Sequence, residues 1–561
     1  MTRSPLRVHG IRVAAVALVL SACWYVPWLL TTANWRSPLI AVPFVAANLL
    51  VVVSTIVTSI NNWQRAAPEP HPVTEGAEPE IAVIIPTCGE PAAMVMRTAS
   101  SVIGQDWPAA RLTIVVSDDA ASRTMALATT QLRHRHPQVD IIYHVPPPTG
   151  DASRRGDAKA GNLNSVLDLL DRSHDHVRYI ETRDADDEVG DRRFLRETVG
   201  QLEADTATAY VQTVKRARVG AGDPFGNNDP LFYEGAMYAR HAANAVFPCG
   251  SGLVWRRRAL ADIGGFPTWN LVEDLQSGVE ALRRGWRSCY LPIVGAMGQV
   301  APEDIPNVYK QRGTWALDTL RLLLYSRKRG LTVRQRLHFL ELGLFYCLGP
   351  ATIVLLICPT LALTVNMYPL VTTHTAYTTR FWPFAISVEV LLAALATGHR
   401  YETLWRARQM WVGMAPVYTR ACLMALRYGR SRKPSYTVTR KTTEQAWYWR
   451  QTLPQGLLVG AFVVSLAYRA ATSSVLRTLD LGSAYWGGFA GLFMLGFIRK
   501  SWYGVAWRDA IAARWAARTP PFRRDRPATG AAAPSHIVDV TDDRHSDTPV
   551  AQPAPVRSHS T

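Results

Sequence analysis

Two apolar stretches near the start of the chain and four near its end enclose a long hydrophilic middle, and this arrangement limits the fold more than any single residue does. The first two run from Val13 to Leu30 and from Pro38 to Ile60. Each is close to the ~20 residues that a helix needs to cross a bilayer. Apolar character resumes from Phe339 to Val365 and Phe381 to Ala396, then from Pro454 to Ala470 and Ser483 to Ile498, with two of these short or interrupted. Such a pattern predicts about six membrane helices with a soluble domain inserted between them. The first span follows a basic leader, as a secretory signal would, but Trp24, Tyr25 and Trp28 stand where small residues would be needed for cleavage.

Charge gives the expected orientation. Met367 to Thr379 holds no Lys or Arg, whereas residues 400–450 include Arg406, Arg408, Arg420, Arg427, Arg430, Arg432 and Lys433. Basic loops stay on the cytoplasmic side, so the hydrophilic middle is expected in the cytoplasm of a multi-pass protein of the cell membrane. The formal charge of +17 lies largely beside apolar spans, where anionic lipid accounts for it. Membrane lipid is therefore an expected partner and nucleic acid is not. Seven cysteines without a CxxC indicate neither a disulfide scaffold nor a zinc site.

Between about Ile81 and Arg334, short apolar runs alternate with helix-length segments: IAVIIPT, LTIVVSDD, VDIIYHV, VRYIETRD, AYVQTV and SCYLPI. These read as βαβ units of a doubly wound, mostly parallel α/β sheet, whose ligands bind outside the strands' carboxyl ends. The expected divisions are residues 1–60 as two membrane helices, 61–80 as a linker and 81–334 as the α/β domain. Residues 335–400 and 451–500 carry further membrane helices. Residues 401–450 form a cytoplasmic segment with an interfacial helix, or one packed on the domain. The basic tail, 501–561, is too poor in apolar residues to order itself.

Four clusters could carry chemistry. Ser117-Asp118-Asp119 follows a strand, where such a pair is more often a turn or helix cap. Asp184-Ala185-Asp186 places two carboxylates at i, i+2, an arrangement that suits a hard cation such as Mg²⁺ or Mn²⁺ holding a diphosphate. Glu273-Asp274 opens a helix, where the dipole softens their repulsion. Gln311 to Trp315 sets an aromatic beside hydrogen-bonding groups, as a sugar ring requires, although a Trp near a bilayer also serves as an anchor.

Taken together, these residues resemble the membrane-embedded, processive branch of glycosyltransferase family 2, typified by cellulose synthase. The family's D, DxD, ED and QxxRW motifs are matched by Asp118, Asp184 with Asp186, Glu273 with Asp274, and Gln311 with Trp315. Supporting matches are Pro86-Thr87, Glu90-Pro91, the run Lys159 to Asn164, Gln212-Thr213 and Cys249-Gly250-Ser251. Tyr436, Val438, Thr439 and Lys441 resemble the family's FxVTxK gating loop.

The resemblance implies a GT-A type domain that binds a nucleotide sugar, UDP-glucose or a relative, with a glycan or lipid-linked acceptor and export or accessory subunits as further partners. It implies that Thr87, Glu90, Asp118, Lys159 and Asp184 hold the nucleotide sugar. By the same resemblance Asp184 and Asp186 place the metal, Asp274 beside Glu273 is the base, and Gln311 and Trp315 hold the acceptor. The expected activity is inverting polymerisation of a β-glycan with translocation through the membrane segment. A single-addition transferase and a non-catalytic binding partner remain as alternatives. Thr314 stands where the family has Arg, with Arg312, Arg440 and Lys441 as candidate replacements, and Val272 replaces a Thr. Arg514 to Arg518 fits the RxxxR spacing of a cyclic-di-GMP barrel, but the remaining tail is too short and polar to build one.

Overall fold

A computed structural model describes residues 5–503 apart from 221–222, 271, 400, 431–441, 443, 445 and 474–477. The gating-type loop, the candidate cations Arg440 and Lys441, and the basic tail beyond Tyr503 with its RxxxR run lie outside the described residues.

Six helices among these residues are long and apolar enough to cross a membrane: Arg7–Thr32, Pro38–Asn61, Val333–Val365, His374–Leu395, Leu453–Thr472 and Leu479–Trp502. The second and third adjoin at one end, where Glu341 accepts from the Thr58 hydroxyl at 2.9 Å and the Asn61 amide at 2.7 Å. The domain rests on the same place. Gln335 donates to the Asn244 carbonyl at 2.8 Å, and the buried Arg240 donates to the His338 carbonyl at 3.2 Å.

The strands are β1 (Ile81–Thr87), β2 (Leu112–Asp118), β3 (Asp140–His144), β4 (Tyr179–Thr182), β5 (Asp187–Val189), β6 (Thr208–Ala217), β7 (Leu253–Arg256) and β8 (Arg287–Gly298). They form one sheet in the order β3-β2-β1-β4-β7-β6-β8-β5. Side chains alternate between its faces. Val83, Ile85, Ile114 and Val116 therefore pack into one apolar layer, while Ala82, Ile84 and Val115 pack into the other.

The sheet is mostly parallel, as expected, with two reversed strands that make it mixed. β1, β2, β3 and β4 run parallel, but β7 is antiparallel to both β4 and β6, and β5 is antiparallel to β8. This reversal is what assembles the site. Leu253 of β7 pairs with Thr182 of β4 and with Gln212 of β6, so the loop entering β7 meets the carboxyl end of β4 and the middle of β6.

The basic segment expected as one helix is two, Tyr401–Gly413 and Ala415–Tyr428, with Pro416 in the first turn of the second. A proline there lacks only an N–H that the helix start leaves unpaired anyway. Met414, Tyr418, Ala421 and Ala425 pack in one cluster with Ala316 and Leu320 of the Ile305–Tyr325 helix.

Candidate active site

The carboxyl ends of β1, β2, β4 and β6 lie along one edge, and the acidic motifs gather there. β1 ends at Thr87, which pairs in register with Asp118 of β2. The Thr87 hydroxyl donates to Glu90 at 2.8 Å, and the Cys88 amide donates to the same oxygen at 2.6 Å. Asp118 is buried and shapes its own loop. Its carboxylate accepts from the amides of Ala120 at 3.0 Å and Ser122 at 2.8 Å, and from the Tyr143 hydroxyl at 3.0 Å. Asp119 accepts a two-pronged contact from Arg154, at 2.7 and 3.2 Å, which closes the segment before the Ala158–Ser173 helix over the strand ends.

The Asp184-Ala185-Asp186-Asp187 turn leaves β4. Its backbone is held by the fully buried Arg183, which pairs with Glu181 and donates to the carbonyls of Asp187, Glu188 and Gly295 at 3.0–3.2 Å. The Asp184 amide donates to the Ser251 hydroxyl at 3.1 Å. Gln212 and Thr213 pin the loop that carries Ser251, since Gln212 accepts from the Cys249 amide at 2.7 Å and the Thr213 hydroxyl donates to the Gly252 carbonyl at 2.7 Å. Asn162 and Asn164 are tethers too, to the Ser117 carbonyl at 3.0 Å and to Phe266 at 2.8 Å.

Two ammonium groups stand among the carboxylates. Lys159, from the Ala158–Ser173 helix, reaches Asp184 Oδ1 at 2.5 Å, the Gly250 carbonyl at 2.9 Å and Glu273 at 3.7 Å. Lys215, near the end of β6, reaches Asp184 Oδ2 at 2.6 Å and Asp187 Oδ2 at 2.8 Å. The carboxylates raise both lysines' affinity for their protons against the opposing cost of burial. Glu273 and Asp274 open the Glu273–Arg283 helix. Burial lifts them to about 7 and about 6, respectively, although nearby Lys159 opposes the rise.

Gly250 separates these groups. Its φ of +79° favours glycine, and a Cβ there would lie 3.0 Å from Asp274 Oδ2 and 3.3 Å from Lys159 Nζ. Gly250→Ala is therefore expected to lower nucleotide-sugar turnover at least tenfold while the fold persists. Turnover and thermal unfolding measured on the same preparation check this.

Gln311, Arg312, Thr314 and Trp315 lie on the Ile305–Tyr325 helix, and Trp315 is 45% exposed. The helix is tied to the approach to Glu273 by Asn270, which donates to the Asp318 carbonyl at 2.9 Å and accepts from Arg321 at 3.2 Å. Arg312, a candidate replacement for the missing Arg, is anchored by one of its nitrogens. It donates to the carbonyls of Phe225 at 2.6 Å and Gly226 at 3.1 Å.

Lys215 and Arg183 were not singled out from the sequence, whereas Asp187 was part of the acidic run after β4 and Ser251 of the CGS match, without a role for either. The one available signal for the two cations was their closeness to the DxD and QT matches. For a divalent cation, the donors Asp184 and Asp186 are of the right hard-oxygen type, and the Lys215 ammonium already sits as a positive charge between Asp184 and Asp187. Among the described residues, however, no group of three or more His, Cys, Asp or Glu side chains is arranged to hold a metal.

This sheet, with acidic turns at its carboxyl edge, is a GT-A-like α/β fold flanked by apolar helices. Residues 79–317 match the family model described as glycosyltransferase like family 2. The chain is 31% identical over 302 residues to the cellulose synthase catalytic subunit [UDP-forming] of Xanthomonas axonopodis pv. citri, covering 51% of this chain and 38% of that one. It is 27% identical over 426 residues to putative cellulose synthase 2 of Komagataeibacter xylinus, covering 71% of this chain and 26% of that one. The matches thus span well under half of either relative. A mannosyltransferase structure from Pyrobaculum calidifontis, in complex with GDP-Man and Mn²⁺, is 19% identical at a TM-score of 0.45, covering 74% of this chain and 99% of that one.

Residues 79–317 therefore form a glycosyltransferase family 2 domain, and the chain that carries it is similar to cellulose synthases and has six helices long and apolar enough to cross a membrane. Enzymes of this fold usually use a divalent metal.

Proposed function

We propose that the protein is an inverting glycosyltransferase that builds a β-glycan from a nucleotide sugar, with UDP-glucose the leading donor, and passes the product through its own apolar helices. The observation that carries this reading is the placement of Asp274. Its carboxylate, with affinity for a proton centred near pH 6, lies one glycine away from the Lys159–Asp184 pair.

In an inverting transfer the acceptor hydroxyl attacks the anomeric carbon and gives its proton to a base, while the bond to the diphosphate breaks and its electrons leave with the phosphate. Asp274 is the base, with Glu273 beside it. Lys159 offsets the charge that develops on the leaving group. Asp184 and Asp186 would hold Mg²⁺ or Mn²⁺, which when bound supplies further neutralisation of that charge. Thr87, Glu90 and Asp118 form the nucleotide wall. Gln311 and Trp315 present hydrogen bonds and a ring face to the acceptor sugar, and Tyr436, Val438, Thr439 and Lys441 gate the site. The positive-inside bias supports a cytoplasmic domain at the cell membrane, and a product delivered outside the cell would call for export or accessory subunits.

The test is release of nucleoside diphosphate by the protein in lipid nanodiscs across a panel of UDP and GDP sugars, with the products sized. Release with one donor and a ladder of lengths is expected. A single added sugar would replace polymerisation with a single-addition transfer. Because the base must be unprotonated, kcat/KM is expected to fall about tenfold per pH unit below ~6 and to level off above ~7. A profile flat from pH 5 to 8 would remove Asp274 from the base role.

A further inference from the structure

Lys215 is paired with Asp184, one of the two carboxylates that would hold a divalent cation. Asp184 offers two oxygens; Lys159 holds one at 2.5 Å and Lys215 the other at 2.6 Å. Lys215 also holds Asp187 at 2.8 Å, and Asp187 is 1% exposed and has no open side to turn toward. A divalent ion seeking these oxygens meets two positive charges already within bonding distance, whose repulsion is strong in a partly desolvated site.

The backbone fixes this placement. β6 is paired to β7 as far as Gln212↔Leu253 and, past register shifts at Val214, to β8 at Lys215↔Ala296, which sets the lysine beside the Asp184 turn.

We propose that Lys215 closes the divalent-cation position in the nucleotide-free protein, its ammonium occupying the place of the ion until an anionic diphosphate draws it away. The second half rests on the transferase reading above, and the first half does not. A cation is then captured together with the nucleotide, and not before it.

The experiment is binding of Mn²⁺ alone to the full chain in nanodiscs, read by the loss of the free-ion paramagnetic resonance signal. Wild type is compared with Lys215→Met, Lys215→Gln and the charge-conserving Lys215→Arg, with thermal unfolding recorded for each. Wild type and Lys215→Arg are expected to leave Mn²⁺ free, whereas Lys215→Met and Lys215→Gln bind it at least tenfold more tightly. A merely structural lysine would shift the unfolding temperature without opening a cation site. Mn²⁺ uptake by wild type as tight as by Lys215→Met overturns the proposal, as does a folded Lys215→Gln that takes up none. Adding UDP to wild type is expected to raise Mn²⁺ uptake at least tenfold. Bound UDP with no such rise overturns the displacement step. Failure to bind UDP at all sinks the transferase reading and leaves the nucleotide-free comparison to decide the closure.

Discussion

Replacing Asp274 by Asn is expected to lower the transfer rate by about 10²- to 10⁴-fold, the usual contribution of a positioned general base, while UDP binding stays within about threefold of wild type. The substitution keeps the shape of the side chain and removes its charge, and with it the proposed ability to take the acceptor's proton. Asp274 Oδ1 accepts from the Leu275 amide at 2.7 Å, a contact that an amide oxygen can also make. Calorimetric UDP titration beside single-turnover rates separates the two effects. A comparable loss of UDP affinity would instead make Asp274 a binding residue. Glu273→Gln is the companion variant, because Glu273 lies 3.7 Å from Lys159 and is the other candidate base.

The second large effect concerns stability. Arg183 and Glu181 are both wholly buried and paired, and Arg183 alone ties three carbonyls of the acidic turn and of β8. Arg183→Met strands the Glu181 charge in the core, and breaking one half of such a pair typically costs about 3–5 kcal/mol. Arg183→Met/Glu181→Leu removes the stranded charge and is expected to recover part of that loss, though not the carbonyl contacts. Unfolding transitions of the two variants and wild type test this order. A double variant no more stable than the single would assign the whole cost to the carbonyl contacts.

Long apolar runs and strands bounded by turn residues were legible in the sequence because each pattern persists over a whole element. The six spans and β1, β2, β3, β4, β6 and β8 are of that kind. β5 and β7 are not: DEV and LVWR are too short to show an alternation, and their reversed direction depends on partners far away in the chain. The acidic motifs were visible as clusters of one site, but the loop that joins them was not, since β7's reversal is what carries Gly250 and Ser251 to Asp184. Lys215 was hidden for a related reason: a lysine near a strand's end ordinarily points to water, and only the neighbouring carboxylates give it another place. The break at Met414 in the basic segment was likewise masked by apolar periodicity running through it.

The junction at Glu341, where the Pro38–Asn61 and Val333–Val365 helices adjoin, makes the soluble domain an insertion between two neighbours rather than a link between distant parts. Entry and exit are already held together by the helices themselves, so the loop-closure entropy of the domain, which grows only slowly with length, is largely met before the domain folds. The two halves of the molecule can then be exchanged or resized independently during descent. The condition is only that the ends of the Pro38–Asn61 and Val333–Val365 helices stay side by side.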